Sequence, residues 1–267
     1  MGCLPGHLAH VIYTHSHVDH FGGAIGLTSY TAATHLVPKE ALHELQDYRS
    51  FLEKARENVT HRAESFLVSF QRALTDGGRP AFVPKAHPPL EDSGFPEKAG
   101  VFTRKNLNDY CRRYFPDVSK VPTLVPIEDG DTISAGRFSL KVFFTPGHSP
   151  YDICLYEPRE KLLFGGDLVV GRSAAIRDVN KYIRSLQRLL SLKCVFLFPG
   201  HGSVRENPRK YFLSAMKDVL QKEKFLYKIL RGEPKTLPEI FIRVKKGMPR
   251  TAVEYLSISR WVGAFLE

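Results

Sequence analysis

The sequence predicts an α/β fold of the mixed α+β kind, in which short β-strands form sheets and amphipathic helices accompany them. Two short apolar runs, residues 9–13 and 194–198, have the length and composition of buried strands. From Thr123 onward, apolar stretches such as R-F-S-L-K-V-F-F and D-I-C-L-Y alternate with tight polar turns, which predicts a series of strands. Apolar residues at helical spacing lie on both sides of this strand-rich region. These three observations together predict the fold class.

The helical segments follow from the spacing of their apolar residues. Helices are predicted over residues 39–74, 180–192, 207–230, 236–244 and 251–266. The first of them follows a predicted strand, T-H-L-V at residues 34–37, and Pro38 stands where a first helical turn tolerates proline. Residues 75–100 contain repeated Gly and Pro and predict a long irregular loop, of the kind that forms a lid or a substrate wall.

The order of these elements suggests two regions. We predict a catalytic domain over residues 1–205, which contains a helical and loop insertion over about residues 39–120. Residues 206–267 would add a basic helix and a small helical or winged-helix-like region. A chain of 267 residues is long enough to bury a full core in one large domain with a small appendage.

The chain is basic, with a formal net charge of +10 at pH 7. Residues 201–250 contain 13 Lys and Arg against 5 Asp and Glu, a surplus of 8 positive charges. Such a surplus attracts nucleic acid or another anion, although a solvated basic helix face has the same composition. Two partner classes therefore stay open at this point: a small anionic substrate and RNA.

The composition is that of a cytoplasmic globular protein. Hydrophobic residues make up 43% of the chain, and no apolar run is long enough to span a bilayer, so no membrane partner is expected. The N-terminal residues lack the layout of a signal peptide. The four cysteines are scattered and form no C-x-x-C pair, so neither a thiolate metal site nor a disulfide framework is predicted. These features favour a reducing, cytoplasmic compartment.

The stretch T-H-S-H-V-D-H at residues 14–20 concentrates three histidines and an aspartate directly after a predicted strand. In an extended segment, His15 and His17 point to the same side because they are two residues apart. Asp19 and His20 follow where the chain would turn into a helix, so they can point to a second position nearby. Neutral imidazole and carboxylate groups suit zinc, iron or manganese, and the stretch therefore predicts a metal site.

Further candidate ligands stand at the ends of later strands. The tripeptide P-G-H follows an apolar strand twice, in V-F-F-T-P-G-H ending at His148 and in V-F-L-F-P-G-H ending at His201. Glycine at this place lets the backbone approach a metal closely, while the strand end provides a rigid support. Between them, L-L-F-G-G-D places Asp167 after another strand. A third P-G-H, which contains His7, has no strand before it, and we interpret His7 as structural or exposed to solvent.

Taken together, H-S-H-V-D-H, T-P-G-H-S, F-G-G-D and F-P-G-H-G, in this order, resemble the metallo-β-lactamase-fold hydrolase superfamily, and in particular its glyoxalase II-like dinuclear branch. The resemblance covers residues 11–202 and is weakest over residues 40–120. It implies an αβ/βα sandwich with two metal ions at the edge between its sheets. Carried over by position, the first metal would be held by His15, His17 and His148. The second would be held by Asp19, His20 and His201, with Asp167 bridging the two.

This ligand set implies hydrolytic chemistry. Water between two divalent cations loses a proton near neutral pH and becomes a nucleophile without a side-chain base. Asp19 is also expected to orient this nucleophile, which makes it the candidate catalytic residue. Nitrogen and carboxylate ligands favour two zinc ions, and iron or manganese ions would fit the same donors.

Relatives of this kind place several strands before the H-x-H-x-D-H loop, whereas this chain has only 14 residues ahead of His15. We therefore expect an N-terminally truncated sandwich with an exposed sheet edge. Such a chain could form a homodimer that covers the edge.

Two kinds of scissile bond fit the sequence. The first is a carbonyl ester-type bond in a thioester, ester or lactone, with β-lactam hydrolysis as a side reaction, and a basic protein suits an anionic thioester. The second is a phosphodiester of single-stranded RNA, because the part after Asp178 resembles lactamase-β-like endoribonucleases. A similarity of the 11–23 stretch to alkylsulfatases ranks below both, since that group uses paired glutamates where this chain has His148 and Asp167.

Overall fold

The computed structural model describes residues 4–75, 122–169, 176–232, 236–245 and 252–266. The chain forms two compact units. The first consists of Met1–Phe51, Asp117–Lys222 and Gly263–Glu267, and the second of Leu52–Pro116 and Glu223–Val262. The division into residues 1–205 and 206–267 that the sequence suggests stays a prediction.

A three-stranded parallel sheet lies in the first unit. Its strands are β1 (His10–Ile12), β2 (Thr34–Pro38) and β3 (Leu124–Ile127), in the order β1-β2-β3. Two short helices, α1 (Val18–Phe21) and α2 (Ala24–Leu27), connect β1 to β2. The T-H-S-H-V-D-H stretch therefore begins just after the end of β1 and continues through α1, as the sequence predicts.

A six-stranded sheet forms the larger part of the same unit. Its strands are β4 (Thr132–Ala135), β5 (Phe138–Phe144), β6 (Ile153–Glu157), β7 (Leu162–Gly166), β8 (Phe196–Pro199) and β9 (Arg205–Glu206). They pair in sequence order, and all neighbours are antiparallel except β7 and β8, which are parallel. The parallel pair requires a crossover connection, and helix α5 (Val179–Leu190) lies in that connection.

The remaining helices are α3 (Leu42–Gln46), α4 (Tyr48–Thr75), α6 (Pro208–Leu230), α7 (Leu237–Lys245) and α8 (Ala252–Leu266). Their positions agree with the predicted helices to within a few residues. None of the helices in the described part of the chain has both the length and the apolar composition needed to cross a membrane.

Several local predictions were wrong. Pro38 ends β2 instead of opening a helix, and a 3₁₀ turn (Lys39–Ala41) follows it. The helix predicted over residues 39–74 is interrupted at Asp47, where φ is −119° and ψ is 61°. Strand β4 was missed because its short T-I-S-A run has little apolar content, and β9 has only two residues. Except for Thr75, the loop predicted over residues 75–100 lies outside the described residues.

The six-stranded sheet contributes to two hydrophobic cores, one on each face, because successive residues of its strands point to opposite sides. On one side Val142, Ile153 and Leu155 pack with Leu36 of β2 and Ile127 of β3, which joins the two sheets into a sandwich. On the other side the core is formed by alternate strand residues and the apolar face of α5, which include Phe143, Cys154, Tyr156, Tyr182, Leu186 and Leu189. Fully burying each large apolar side chain contributes roughly 1.5–3 kcal/mol. The αβ sandwich that the resemblance implies is therefore present.

One ion pair joins the turn after β3 to α5. The Arg188 guanidinium donates to both carboxylate oxygens of Asp129, at 2.8 and 2.9 Å, and the Phe144 N–H also donates to Asp129 at 2.8 Å. Partial burial by itself would raise the pKa of Asp129, but these hydrogen bonds outweigh it and hold the pKa below its ordinary value. A carboxyl group with a lowered pKa stabilises the fold when it is ionised.

Replacing Asp129 with Asn should therefore lower the free energy of unfolding by at most about 1 kcal/mol near neutral pH, since the pair is partly exposed. The difference in the free energy of unfolding should shrink as pH falls below the ordinary carboxyl pKa. It should disappear once pH is below the lowered pKa of Asp129, because the wild-type carboxylate is then protonated in the folded protein. Urea unfolding of both proteins across this acidic range measures the difference. Glu160→Gln, in an exposed turn, is the control. A difference that persists below the lowered pKa would contradict the prediction.

Candidate metal centre

All seven predicted ligands meet at one edge of the sandwich in the first unit. Four of them, His15, His17, Asp19 and His20, lie after β1 of the smaller sheet. The other three follow strands of the larger sheet: His148 after β5, Asp167 after β7 and His201 after β8. In each of two groups, the candidate ligand atoms all lie within 4.8 Å of one another. We call these groups the histidine trio (His15, His17, His148) and the mixed group (Asp19, His20, Asp167, His201).

The histidine trio is compact and largely buried. The Nδ1 of His17 lies 3.0 Å from the Nε2 of His15 and 3.0 Å from the Nε2 of His148. His15 has 0% of its surface exposed and His148 has 7%. Two nitrogens that each lie about 2.0–2.1 Å from one tetrahedral zinc ion are about 3.3 Å apart. The spacing of the trio is therefore close to that of ligands sharing one cation.

Burial determines the charge state of His15. Loss of hydration, together with the neighbouring imidazoles, lowers the pKa of His15 far below its ordinary value. His15 is consequently neutral and keeps a lone pair, as a metal ligand requires.

The mixed group contains two carboxylates and two imidazoles. His201 Nε2 lies 3.0 Å from Asp19 Oδ2, and His20 Nε2 lies 3.2 Å from Asp167 Oδ1. The other oxygen of Asp167, Oδ2, lies 3.5 Å from His201 Nε2 and 3.6 Å from His148 Nε2 of the trio. Asp167 therefore stands between the two groups, which is the position the sequence predicts for a bridging carboxylate.

The donor atoms fit divalent cations. Within the described residues, the buried atoms His20 Nε2 and Asp167 Oδ1 make no well-aligned hydrogen bond, although they lie close to each other. Burial opposes the charge on the His20 imidazole and on the Asp167 carboxylate. Their mutual attraction nevertheless raises the pKa of His20. The same attraction, together with the other histidines, lowers the pKa of Asp167. An anionic carboxylate among imidazole nitrogens, with its oxygen otherwise unsatisfied, is a donor set that a cation completes. The metal-binding role of the seven residues stays a prediction.

Two glycines allow the ligands to come this close. A Cβ on Gly147 would lie 2.5 Å from the Cα of Tyr182, and the φ of Gly147 is 148°, so only glycine lets the His148 loop pack on α5. A Cβ on Gly200 would lie 2.4 Å from Asp167 Oδ1 and 2.7 Å from His20 Cε1. The glycines that precede His148 and His201 are thus required by the packing at the site.

Side chains that the sequence did not reveal also support the site. Asp152 is buried, and its Oδ1 lies 3.7 Å from His15 Nδ1. Burial raises the pKa of Asp152 to about 7. Ser16, between two members of the trio, donates from its hydroxyl to Glu44 at 3.1 Å, and its carbonyl oxygen accepts from the Tyr48 hydroxyl at 2.9 Å. The only sequence signal for Asp152 is its place directly before an apolar strand, four residues after His148. His7 lies at the surface in a 3₁₀ turn.

Replacing Gly200 with Ala should weaken metal binding, because the new methyl group would displace Asp167 and His20. We expect a zinc titration of the metal-free protein to show at least a ~10-fold loss of affinity, the lower end of the loss seen when groups that orient a ligand are disturbed. Gly26→Ala is the control, since a Cβ there meets nothing within 4 Å. Wild-type zinc affinity in a folded Gly200→Ala variant would show that this close approach does not matter.

Comparison with known proteins agrees with this architecture. The family model of the metallo-β-lactamase superfamily matches residues 2–201. In sequence, the chain is 33% identical over 115 residues to the atrochrysone carboxyl ACP thioesterase of Aspergillus fumigatus, covering 43% of this chain and 35% of that protein. It is 32% identical over 108 residues to a beta-lactamase-like protein 2 homolog of Drosophila melanogaster, covering 40% of this chain and 35% of that protein. The matching region thus spans about a third of the length of these curated relatives.

Solved structures of low sequence identity share the fold. A metallo-β-lactamase family protein from Thermus thermophilus superposes with a TM-score of 0.60 at 20% identity, covering 98% of this chain and 78% of that chain. A β-lactamase domain protein from Burkholderia ambifaria superposes with a TM-score of 0.66 at 17% identity, covering 98% and 68%. With the family match over residues 2–201, the sandwich and the two ligand groups at its edge, the chain belongs to the metallo-β-lactamase superfamily.

Proposed function

We propose that this protein is a metal-dependent hydrolase that cleaves a carbonyl ester-type bond, with a thioester as its substrate class. The observation that carries the proposal is the position of Asp167, whose two oxygens face both groups of candidate ligands. A carboxylate so placed can be shared by two cations. Esters and lactones present the same carbonyl chemistry, and β-lactam hydrolysis stays a predicted side reaction.

The trio would hold one metal ion and the mixed group the other, with Asp167 shared between them. Two divalent cations held in these places would polarise a carbonyl oxygen and would lower the pKa of bound water to near neutrality. Zinc suits this donor set best among the metals, and iron or manganese would suit it as well.

The protein's own residues divide the remaining tasks. In the trio His15 and His148 are buried and His17 is partly exposed, whereas the side chains of Asp19 and His201 are 42% and 53% exposed. Substrate would therefore approach from the side of the mixed group. Asp19 lies in the first turn of α1 with Oδ2 directed at His201. Its carboxylate is placed to accept a hydrogen bond from the attacking water and to orient it toward the carbonyl carbon.

The choice of a thioester rests on a relative and on charge. The Aspergillus relative is named as an ACP thioesterase, and its similarity to this chain covers 115 residues. The net charge of +10 suits an anionic thioester, such as one carried on a phosphate-containing group. The name of the relative favours carbonyl cleavage, and the charge is compatible with it.

A second candidate function, cleavage of single-stranded RNA, is favoured by a basic surface at the start of α6. Arg205 and Lys210 both lie over the ring of Tyr211, at 4.7 and 5.0 Å from its centroid. Arg209 and Lys217 on the same helix are exposed. This surface begins four residues after His201, so a bound polyanion would pass close to the mixed group. We rank this function second, because a basic helix face is common without nucleic acid.

Replacing Asp167 with Ala should reduce hydrolysis of a small thioester, such as an acyl-N-acetylcysteamine, by at least about 100-fold in kcat/KM, since both cation sites lose a ligand. Metal analysis of the same preparations should show lower occupancy of the variant. Glu160→Ala, which removes an exposed carboxylate in the turn between β6 and β7, serves as the control. Full activity in the Asp167→Ala protein would refute the assigned bridge.

Charge reversal of the basic surface separates the two functions. Under the thioesterase proposal, Lys210→Glu combined with Lys217→Glu should leave kcat/KM for the small thioester within about 2-fold, because these residues are not among the candidate ligands. An RNA enzyme would instead lose RNA cleavage, and its binding would depend less steeply on salt. Arg159→Glu combined with Lys193→Glu, at two exposed positions, controls for the same change in net charge. If the wild type cleaved RNA and the double variant did not, the second function would be favoured.

A further inference from the structure

Asp152 is a buried carboxylate beside the histidine trio, and it is not among the seven candidate ligands. Only 3% of its surface is exposed. Burying a carboxylate is costly unless hydrogen bonds and charges compensate for the lost water. Its position next to the trio therefore calls for a functional explanation.

Ser149 holds the carboxylate in place. The backbone N–H of Ser149 donates to Asp152 Oδ2, and its hydroxyl donates to Asp152 Oδ1 at 2.9 Å. Both oxygens are thus occupied by donors from the residue that directly follows His148. The remaining acceptor capacity of Oδ1 faces His15, whose Nδ1 lies 3.7 Å away. This distance is too long for a direct hydrogen bond, but it is short enough for the carboxylate to favour an N–H over a lone pair on Nδ1.

The two nitrogens of His15 have different neighbours. Nε2 faces His17 within the trio, and Nδ1 faces Asp152 and the Thr14 hydroxyl, which lies 3.1 Å away. A hydroxyl can donate or accept, so Thr14 alone would suit either tautomer of His15. An ionised carboxylate only accepts, and it repels a lone pair on the nitrogen that faces it. The proton of neutral His15 therefore belongs on Nδ1, which leaves the lone pair on Nε2 directed into the trio.

Asp152 also lies where the two chain segments that supply the trio are joined. Its backbone carbonyl accepts from the Thr145 N–H at 2.8 Å, which closes the turn containing His148. The next residue, Ile153, donates from its N–H to the carbonyl oxygen of Thr14 at 3.0 Å. The turn after β5 is thereby attached to the segment that carries His15. Asp152 is placed to orient one ligand and to fix the turn of another.

We propose that Asp152 is a positioning residue, which sets the Nδ1–H tautomer of His15 and so directs the Nε2 lone pair toward a cation held by the trio. This role rests on the proposed function only in that the trio binds a metal. Buried carboxylates that orient a ligating histidine act in this way at metal sites generally, and their loss weakens metal binding about 10–100-fold.

The test uses Asp152→Asn, which keeps the size of the side chain but removes the negative charge that faces His15 Nδ1 and can present an amide N–H in its place. Titration of the metal-free full chain with zinc at about pH 8, against a competing chelator, should show a trio site weaker by about 10–100-fold and an unchanged mixed group. Glu157→Gln is the matched control, because Glu157 is 1% exposed on the following strand and accepts from the Glu160 N–H. Ser149→Ala, a milder change, should weaken the trio site less.

A second readout needs neither metal nor substrate. In the metal-free protein, the ¹⁵N chemical shifts of His15 should indicate protonated Nδ1 in the wild type and protonated Nε2 in Asp152→Asn. An unchanged tautomer together with unchanged zinc affinity would overturn the role of Asp152. Equal weakening by Glu157→Gln would also overturn it, because the effect would then come from general destabilisation. If the wild type failed to bind zinc, the proposed function would fail, while the tautomer measurement would still test Asp152.

Discussion

The site depends on the burial of a neutral histidine. His15 is fully enclosed, and its Nε2 lies 3.0 Å from a nitrogen of His17. Lone pairs that face each other at this distance repel unless a proton or a cation lies between them. Burial makes protonation of His15 costly, as the lowered pKa of this group indicates. A cation, or the Nδ1 proton of a neutral His17, satisfies this arrangement, and the proposed metal would take the place of that proton.

The sandwich supplies the rigidity that such a cluster needs. The ligands come from the ends of strands in two sheets, and the apolar residues that join the sheets, such as Val142 and Leu36, lie in the core directly behind these strands. The relative placement of His15 and His148 is therefore set by core packing as well as by local hydrogen bonds. Packing of this density resists displacement of the ligands, because any shift would open voids or cause clashes.

The sequence predicted most of the elements and all seven candidate ligands, because each ligand stands at a recognisable strand end or in a dense cluster. It did not reveal Asp152, whose role depends on a contact with His15 across a long stretch of chain. Glu44 and Tyr48 were missed for the same reason, since both act on Ser16 from a helical region without a motif. The break at Asp47 and the short strand β4 depend on tertiary packing, which overrides weak local preference.

The two halves of the site differ in exposure, and this difference has a chemical consequence. A cation at the trio would have three imidazole nitrogens and a share of the Asp167 carboxylate, so it would keep more of its positive charge than a cation at the mixed group and would act more strongly on a bound oxygen. Asp19 and His201 are open to solvent, and the carboxylates of the mixed group would partly neutralise a cation there. Exchange of water, substrate and product is consequently easier on this side. Under the proposed function, polarisation and exchange would fall to different faces of one centre, with Asp167 connecting them.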